Sequence, residues 1–139
     1  MAKLVFNLPF MQKEYLLDKD VINLGRLMDN DISIPDYSLF QKLAVDAQRQ
    51  LVKLLTKISR KHSRITRRDG HFYVEDIGTS GWGSSYGTYV NEARLDVGKP
   101  YLLKNGDRVK FGPVEGRFQE ADEDLITPET SGPESSSKE

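Results

Sequence analysis

The chain of 139 residues has no cysteine, two histidines and no apolar run near the roughly 20 residues that cross a membrane. Without cysteine, a disulfide framework, thiol catalysis and a thiolate zinc site are excluded, and a reducing compartment is favoured. Two histidines nine residues apart cannot surround a metal, so we expect no metal and no cofactor. The opening MAKLVFNLPF, interrupted by Asn7 and Pro9, is interpreted as a first strand. We expect an intracellular protein, cytoplasmic or, in a eukaryote, nuclear.

Negative charge is unevenly distributed along the chain. Residues 120–139 carry seven acidic side chains against Lys138 alone, which leaves nineteen basic and fourteen acidic side chains in residues 1–119. This C-terminal segment is rich in Ser, Pro, Gly and Glu and cannot offset its ordering entropy, so we predict an acidic disordered tail. The remaining domain, residues 1–119, is basic, and basic domains commonly bind phosphate or carboxylate groups.

Short strands separated by turns are the dominant pattern of residues 1–119. Nine segments are rich in β-branched or aromatic residues or alternate in polarity: KLVFNL, EYLLD, VINLGR, DISIPD, SRITRR, HFYVEDI, TYVNEARL, KPYLLK and DRVKFG. DN, DG and NG pairs, which favour tight turns, lie between several of them. Many short strands without alternating helices predict an all-β fold, an antiparallel sandwich or barrel.

Residues 38–56 depart from this pattern. SLFQKLAVDAQRQLVKLLT contains no Gly or Pro, and its apolar residues have helical spacing: Phe40, Leu43, Ala44, Ala47, Leu51, Leu54 and Leu55. Ser38 followed by Gln41 is typical of a capping box. We therefore predict one amphipathic helix inserted between strands. Its apolar stripe either packs on the sandwich or docks a partner or a second copy of the chain.

Residues that could form an enzymatic site are not in a suitable arrangement. The residue types of a catalytic triad are present as Ser59, His62 and Asp76. However, Ser59 and His62 are three residues apart beside a strand, where alternation sends their side chains to opposite faces. There is no G-x-S-x-G elbow. The glycine-rich GTSGWGSSYG, residues 78–87, precedes no Gly-Lys-Ser/Thr, so it is interpreted as a long flexible loop and not as a P-loop.

A binding site for an anion fits the polar residues at strand ends better. Arg26 ends one predicted strand, Ser59 begins the basic stretch KISRKHSRITRR (57–68), and Ser85 precedes another strand. Loops of a sandwich gather on its rims. A guanidinium donates two parallel bonds and each hydroxyl one more, which suits phosphate oxygens surrounded by Lys57, Arg60 and Lys61.

Several short motifs occur in the order of a known family. They are Gly25-Arg26, Ser59-Arg60-Lys61-His62, Asp76, Gly87-Thr88-Tyr89-Val90-Asn91, and Asn105-Gly106-Asp107 leading to Phe111-Gly112. In this combination residues 3–119 resemble the forkhead-associated (FHA) domain. The resemblance implies an antiparallel β-sandwich of about eleven strands with the predicted helix as an insertion. It also implies apical loops that bind phosphothreonine in partner proteins, without catalysis.

The resemblance also implies roles for individual residues. Arg26 corresponds to the main phosphate ligand, and Ser59 to the hydroxyl that bonds a phosphate oxygen. Arg60 corresponds to a contact with the phosphate or the peptide backbone, and Ser85 to the hydroxyl before the Gly-Thr pair. Lys57 matches a position that in several members faces the third residue after phosphothreonine, where an acidic residue would be preferred.

One residue departs from the family pattern. Tyr86 stands where the family usually has an asparagine that holds the peptide main chain; some members have an aromatic residue here, so we expect phosphate binding with altered peptide geometry. Residues expected to shape the loops are Gly25, His62, Gly87 and Asn91. Trp82 in the glycine-rich loop is either a plug on the sandwich or an exposed contact.

Two other function classes remain open at this stage. The stretch 57–68 could bind nucleic acid, although no aromatic stacking platform accompanies its arginines. Alternatively, the domain could be structural and associate through the helix without phosphate. In the tail, Thr127 precedes Pro128 and Thr130 has acidic neighbours, so either could be phosphorylated and bound by the same or another chain. The sequence does not specify the oligomeric state.

Overall fold

The computed structural model describes residues 1–120, which contain eleven strands and two helices. The strands are β1 (Ala2–Val5), β2 (Glu14–Leu16), β3 (Val21–Gly25), β4 (Ile32–Ser33), β5 (Ser63–Arg68), β6 (His71–Asp76), β7 (Thr88–Val90), β8 (Ala93–Arg94), β9 (Tyr101–Leu102), β10 (Arg108–Phe111) and β11 (Val114–Glu120). The helices, α1 (Tyr37–Gln41) and α2 (Val45–Leu55), lie between β4 and β5. Apart from Glu120, the predicted acidic tail lies outside the described residues.

The strands form two sheets, with the orders β2-β1-β11-β10-β7-β8 and β4-β3-β5-β6-β9. Neighbouring strands pair antiparallel except β3 and β4, which pair in parallel through Leu24 and Ile32. Alternating residues of both sheets are buried, among them Leu4 and Phe118 in one and Ile65 in the other. The ring centroids of Phe72 on β6 and Phe118 on β11 are 5.8 Å apart, so the two sheets pack face to face. The predicted sandwich is confirmed.

Two strands differ from those read in the sequence. TYVNEARL is a hairpin and not one strand, because Asn91 and Glu92 have φ of 49° and 74° and turn the chain between β7 and β8. Strand β11 was not recognised, because Gly116 at its centre weakens the strand pattern. A Cβ at position 116 would lie 2.7 Å from the Phe6 ring, so the packing of Phe6 requires glycine there.

The prediction of one helix over 38–56 is wrong in two respects. The helix is interrupted between α1 and α2. At this interruption the side-chain amide of Gln48 donates to the carbonyls of Gln41 at 3.2 Å and Leu43 at 2.9 Å. Those carbonyls thus gain side-chain partners at the break. Helix α1 also starts earlier than predicted: the carboxylate of Asp36, and not Ser38, accepts the N–H of Leu39 and caps the helix.

The apolar stripe of the insertion packs on the sandwich. Leu55 is buried, and Phe40, Leu43, Leu51 and Leu54 are partly buried against the same core. This confirms the first of the two interpretations of the stripe. Within residues 1–120, neither helix has the length and hydrophobicity needed to cross a membrane.

Candidate functional site

Three loops meet at one edge of the five-stranded sheet. Because β3, β5 and β6 are antiparallel neighbours, the end of β3, the start of β5 and the end of β6 lie side by side. Arg26 follows β3, residues 59–61 precede β5 and residues 77–87 follow β6. The strand register therefore brings together polar residues that are up to 60 residues apart in sequence, counting from Arg26 to Tyr86.

The loops enclose a polar groove of about 310 Å³. It is lined by Arg26, Thr56, Lys57, Ile58, Ser59, Arg60, Thr79, Ser80, Gly83, Ser85 and Tyr86. All six residues that the sequence assigned to phosphopeptide contact are in this set. The lining contains three cationic side chains and no carboxylate, so the groove is suited to an anion.

Arg26 is held by two backbone carbonyls, whereas the Nη end of its guanidinium has no partner among residues 1–120. Its backbone N–H donates to the Ser59 carbonyl at 3.1 Å, and its Nε donates to the Ile58 carbonyl at 3.0 Å. Neither Nη group has a hydrogen-bond or ion-pair partner among residues 1–120. The guanidinium is therefore oriented by backbone while its two Nη groups remain free to donate to a ligand.

Gly25 permits the close approach that positions this arginine. A Cβ at residue 25 would lie 2.2 Å from the Arg60 carbonyl oxygen, too close for any side chain. The Asn30 side chain donates from Nδ2 to the carbonyls of Arg60 and Leu27, both at 2.9 Å. Asn30 is a residue that the sequence analysis missed, since an asparagine in a DND segment indicates only a turn.

Two serines connect the loop before β5 with the loop after β6. The Ser85 N–H donates to the Ser59 Oγ at 3.3 Å. Ser59 is half-buried and Ser85 is exposed, and both line the groove. The Ser59 hydroxyl proton is thus available to an oxygen in the groove while its oxygen is held by the neighbouring loop.

His62 holds these loops together from below. Its ring is fully buried; Nδ1 accepts the Ser59 N–H at 3.0 Å, and Nε2 lies 2.8 Å from the Gly87 carbonyl. Since Nδ1 is an acceptor, the proton is on Nε2, which donates to Gly87. Burial lowers the pKa of His62 below its usual 6.5, so the ring is neutral in the folded protein at neutral pH.

The lowered pKa of His62 predicts that stability falls in mild acid. The unfolded chain takes up a proton near pH 6.5 while the folded protein does not, so the free energy of unfolding decreases as the pH falls below about 6.5. One proton gives a slope of at most about 1.4 kcal/mol per pH unit. Urea unfolding of the unliganded protein from pH 8 to pH 5 measures this slope. A His62→Gln variant with an identical slope would contradict the assignment to His62.

A buried network anchors the other side of the loop after β6. The Asp76 carboxylate accepts the Ser84 N–H at 3.0 Å and the Thr88 hydroxyl at 2.7 Å, and Thr88 Oγ1 is 2.7 Å from Ser63 Oγ. Ser84 Oγ in turn accepts the Gly87 N–H at 2.9 Å. Asp76 therefore positions the segment that carries Ser85 and Tyr86.

A family model described as FHA domain matches residues 22–112. The chain belongs to the FHA domain family. It is 41% identical over 76 residues to Germ layers disorganized gldi-3 of Caenorhabditis elegans, covering 52% of this chain and 7% of that protein. It is 30% identical over 104 residues to the glycogen accumulation regulator GarA of Mycolicibacterium smegmatis, covering 75% of this chain and 49% of GarA. The chain thus spans half or less of the length of these relatives.

A solved structure shares the fold of this FHA domain. The N-terminal FHA domain of S. cerevisiae Rad53p in complex with a phosphothreonine peptide superposes with a TM-score of 0.62. The superposition covers 88% of this chain and 94% of that one, at 17% identity. At this identity the likeness concerns the fold alone.

Tyr86 and Lys57 form one wall of the groove in this FHA domain. Tyr86 is 49% exposed, and the Lys57 Nζ lies 5.7 Å from the centre of its ring. This distance is typical of a cation–π contact. The aromatic residue at the usual asparagine position thus contacts a cation of the groove, and about half of its surface remains exposed.

Most of the other cations of the stretch 57–68 have protein partners. Arg64 pairs with Glu75 at 2.7 Å, Arg67 with Asp20 at 2.8 Å and Lys61 with Asp29 at 3.2 Å, while Arg68 lies over the Tyr73 ring. Among residues 1–120, Lys57, Arg60 and Arg68 of the six have no carboxylate partner, and of these three only Lys57 and Arg60 line the groove. The free positive charge of the stretch is therefore concentrated at the groove.

Other residues support the loops or were not recognised in the sequence. Gly87 has φ +87°, in the left-handed region that favours glycine. Asn91 lies away from the groove, where its side chain accepts the Arg108 N–H at 3.0 Å and donates to Asp107 at 2.9 Å. Thr79, which was missed, lines the groove and accepts the Lys61 N–H at 3.3 Å. Nothing in a glycine-rich loop distinguishes such a threonine before the loop is folded.

Trp82 is 87% exposed, which excludes a plug on the sandwich. The free energy of unfolding of a Trp82→Ala variant is expected to lie within about 0.5 kcal/mol of that of the unmodified protein, because the side chain has almost no buried area to lose. Urea denaturation followed by circular dichroism checks this value. A loss above about 1 kcal/mol would show that the ring packs on the domain in solution.

Proposed function

We propose that this FHA domain binds partner proteins through a phosphothreonine held in the polar groove. The observation that carries the proposal is the Arg26 side chain, which lines the groove, is oriented by the Ile58 carbonyl and has no partner for its Nη groups among residues 1–120. The Nη groups donate to two phosphate oxygens, and the Ser59 hydroxyl donates to a third. Arg60 and Ser85 contact the phosphate or the adjacent peptide, and Lys57 favours an acidic residue along it.

The magnitude of these interactions makes binding depend on phosphorylation. A hydrogen bond to a charged group contributes about 1.5 to 3 kcal/mol. Three such bonds therefore amount to about 5 kcal/mol or more, a factor above a thousand in affinity. The unphosphorylated partner would leave the groove cations without an anion.

Binding without catalysis is part of the same proposal. His62 is buried with both ring nitrogens engaged by Ser59 and Gly87, and Asp76 is occupied by Ser84 and Thr88. Neither group is available as a base for the Ser59 hydroxyl. The groove therefore supports recognition of a phosphate and offers no activated nucleophile. We place this recognition inside the cell, in keeping with the cysteine-free sequence.

The charge distribution favours this function over nucleic-acid binding. A nucleic-acid surface needs a row of free cations along the backbone path. Beyond the groove, three cations of the stretch 57–68 are paired with Asp20, Asp29 and Glu75, and the fourth, Arg68, lies over the Tyr73 ring. The arrangement supports a single anion and not a polyanion.

A phosphorylated tail is a second candidate ligand for the same groove. Thr127 and Thr130 lie outside the described residues, and each stands in an acidic segment opposite in charge to the basic domain. Light scattering and peptide titration of the phosphorylated protein test this ligand. An unchanged size together with an unchanged affinity for phosphothreonine peptides would exclude it.

The experiment that tests the proposed function is a titration with matched peptides. Phosphothreonine, phosphoserine and unmodified forms of one peptide are titrated by calorimetry at fixed salt. The phosphothreonine form is expected to bind at least about a thousandfold more tightly than the unmodified form. Equal affinities of the phosphorylated and unmodified forms would overturn the proposal.

A further inference from the structure

A second, smaller pocket adjoins the polar groove and is built by the helical insertion. Its volume is about 170 Å³, and its wall consists of Pro35, Tyr37, Phe40, Val52 and Leu55. Arg26 and Thr56 line both this pocket and the groove. The two spaces therefore meet at the arginine that is proposed to bind phosphate.

The wall of this pocket is apolar and firmly supported. Leu55 is buried and Phe40 packs against the core. The Tyr37 hydroxyl donates to the Arg26 carbonyl at 2.7 Å, which ties helix α1 to the backbone of the phosphate ligand. Val52 on α2 remains 49% exposed at the rim. An exposed apolar side chain beside a preformed pocket favours an apolar occupant.

We propose that the pocket is a subsite for one apolar side chain, of leucine or methionine size, on the bound phosphopeptide. This inference rests on the proposed function, because the phosphate at Arg26 is what brings the peptide to the pocket. An apolar cavity of about 150 Å³ holds a molecule of benzene, so a space of this size takes one such side chain. An extended peptide advances about 3.3 Å per residue, so residues close to the phosphothreonine reach a neighbouring space.

A peptide side chain fits this pocket better than a second copy of the chain. A stable protein interface buries about 800 Å² on each partner, which needs a far larger apolar face. A tethered side chain instead binds at a high effective concentration, because the phosphate already holds the peptide. The insertion thereby makes ligand choice depend on a residue other than phosphothreonine.

A leucine scan of a phosphopeptide tests the subsite. The parent peptide has phosphothreonine with alanine at the three positions on each side, and each alanine in turn is replaced by leucine. One position is expected to bind about tenfold more tightly than the parent, from the burial of the added methyl groups. The Val52→Gln variant is expected to reduce this ratio to below about twofold, since it places a polar group at the rim.

Val45→Gln is the matched control, because Val45 is a 62% exposed valine of the same helix and does not line the pocket. It is expected to keep the tenfold preference. Both substitutions place a good helix former on α2, and circular dichroism checks their fold. Nuclear Overhauser effects from the leucine methyls to the Tyr37 and Phe40 rings provide a second measurement on the unmodified protein.

The outcomes separate the subsite from the function on which it rests. Phosphopeptide binding that requires Arg26 but shows no leucine preference would overturn the subsite alone. So would a preference that survives Val52→Gln, one that is lost in Val45→Gln, or methyls without contacts to those rings. Failure of the parent phosphopeptide to bind would overturn the proposed function and the subsite with it.

Discussion

Replacing Arg26 by alanine is expected to weaken phosphothreonine-peptide binding at least about a hundredfold. The change would remove the two proposed hydrogen bonds from the Nη groups to a charged phosphate, and each such bond contributes about 1.5 to 3 kcal/mol. Calorimetric titration of the two proteins with one phosphopeptide measures the loss. Folding is expected to change little, because within residues 1–120 the side chain makes a single hydrogen bond, from Nε to the Ile58 carbonyl at 3.0 Å.

Two further variants show whether the effect of Arg26→Ala comes from the guanidinium. Arg26→Lys keeps the positive charge but loses the fork and the bond to Ile58, so it is expected to recover only part of the affinity. Arg67→Ala removes an arginine of the basic stretch that pairs with Asp20 at 2.8 Å and lies outside the groove. It is expected to bind as the unmodified protein does. An equal loss in both alanine variants would point to general charge attraction and away from a phosphate site at Arg26.

The His62→Ala variant is expected to lose about 3 kcal/mol in the free energy of unfolding. It leaves the part-buried Ser59 N–H without its partner, at about 1 to 3 kcal/mol, and opens a cavity beneath the loops. The Gly87 carbonyl loses the His62 ring as a partner but still accepts the Gly112 N–H at 2.8 Å. Phosphopeptide affinity is expected to fall as well, because Ser59 is no longer held beside Arg26. Urea denaturation and peptide titration measure the two effects.

The second histidine provides the control for this prediction. His71 is exposed at the start of β6, so His71→Ala is expected to change stability by less than about 0.5 kcal/mol. If His62→Ala were as stable as His71→Ala, the ring would not hold the loops together. A His62→Gln variant separates two roles of the ring. If it is more stable than His62→Ala but binds the phosphopeptide no better, the stability comes from filling the space beneath the loops and the binding from the position in which the ring holds Ser59.

The sequence predicted the sandwich because its strands keep the period of two in burial. Burial alternates over residues 63–66 of SRITRR and residues 71–74 of HFYVED, and the two strands pair in a register that buries Ile65 beside Val74. The resemblance to the FHA family pointed to six residues, and strand order brings all of them to one groove. The family motifs lie next to the ends of strands. The register of the strands in the sheet therefore brings the motif residues close together.

Features that depend on tertiary contacts could not be predicted in the same way. The break between α1 and α2 contains no Gly or Pro, and it is stabilised by the Gln48 side chain, whose partners are known only after folding. Strand β11 is obscured by Gly116, which Phe6 requires from more than one hundred residues away in sequence. Asn30 and Thr79 hold loops by hydrogen bonds to backbone groups. Every residue has such groups, so the sequence does not show which of them will be the partners.

The most direct test of the account is an NMR titration that locates the phosphate. Amide and guanidinium shifts of the ¹⁵N-labelled protein are recorded with a phosphothreonine peptide and with the same peptide unphosphorylated. Phosphorylation is expected to shift the Arg26 side chain and the amides of Ser59, Arg60 and Ser85, and to leave Arg67 unchanged. Identical shifts with both peptides, or phosphate-dependent shifts centred on the outer face of β5 and β6, would contradict it.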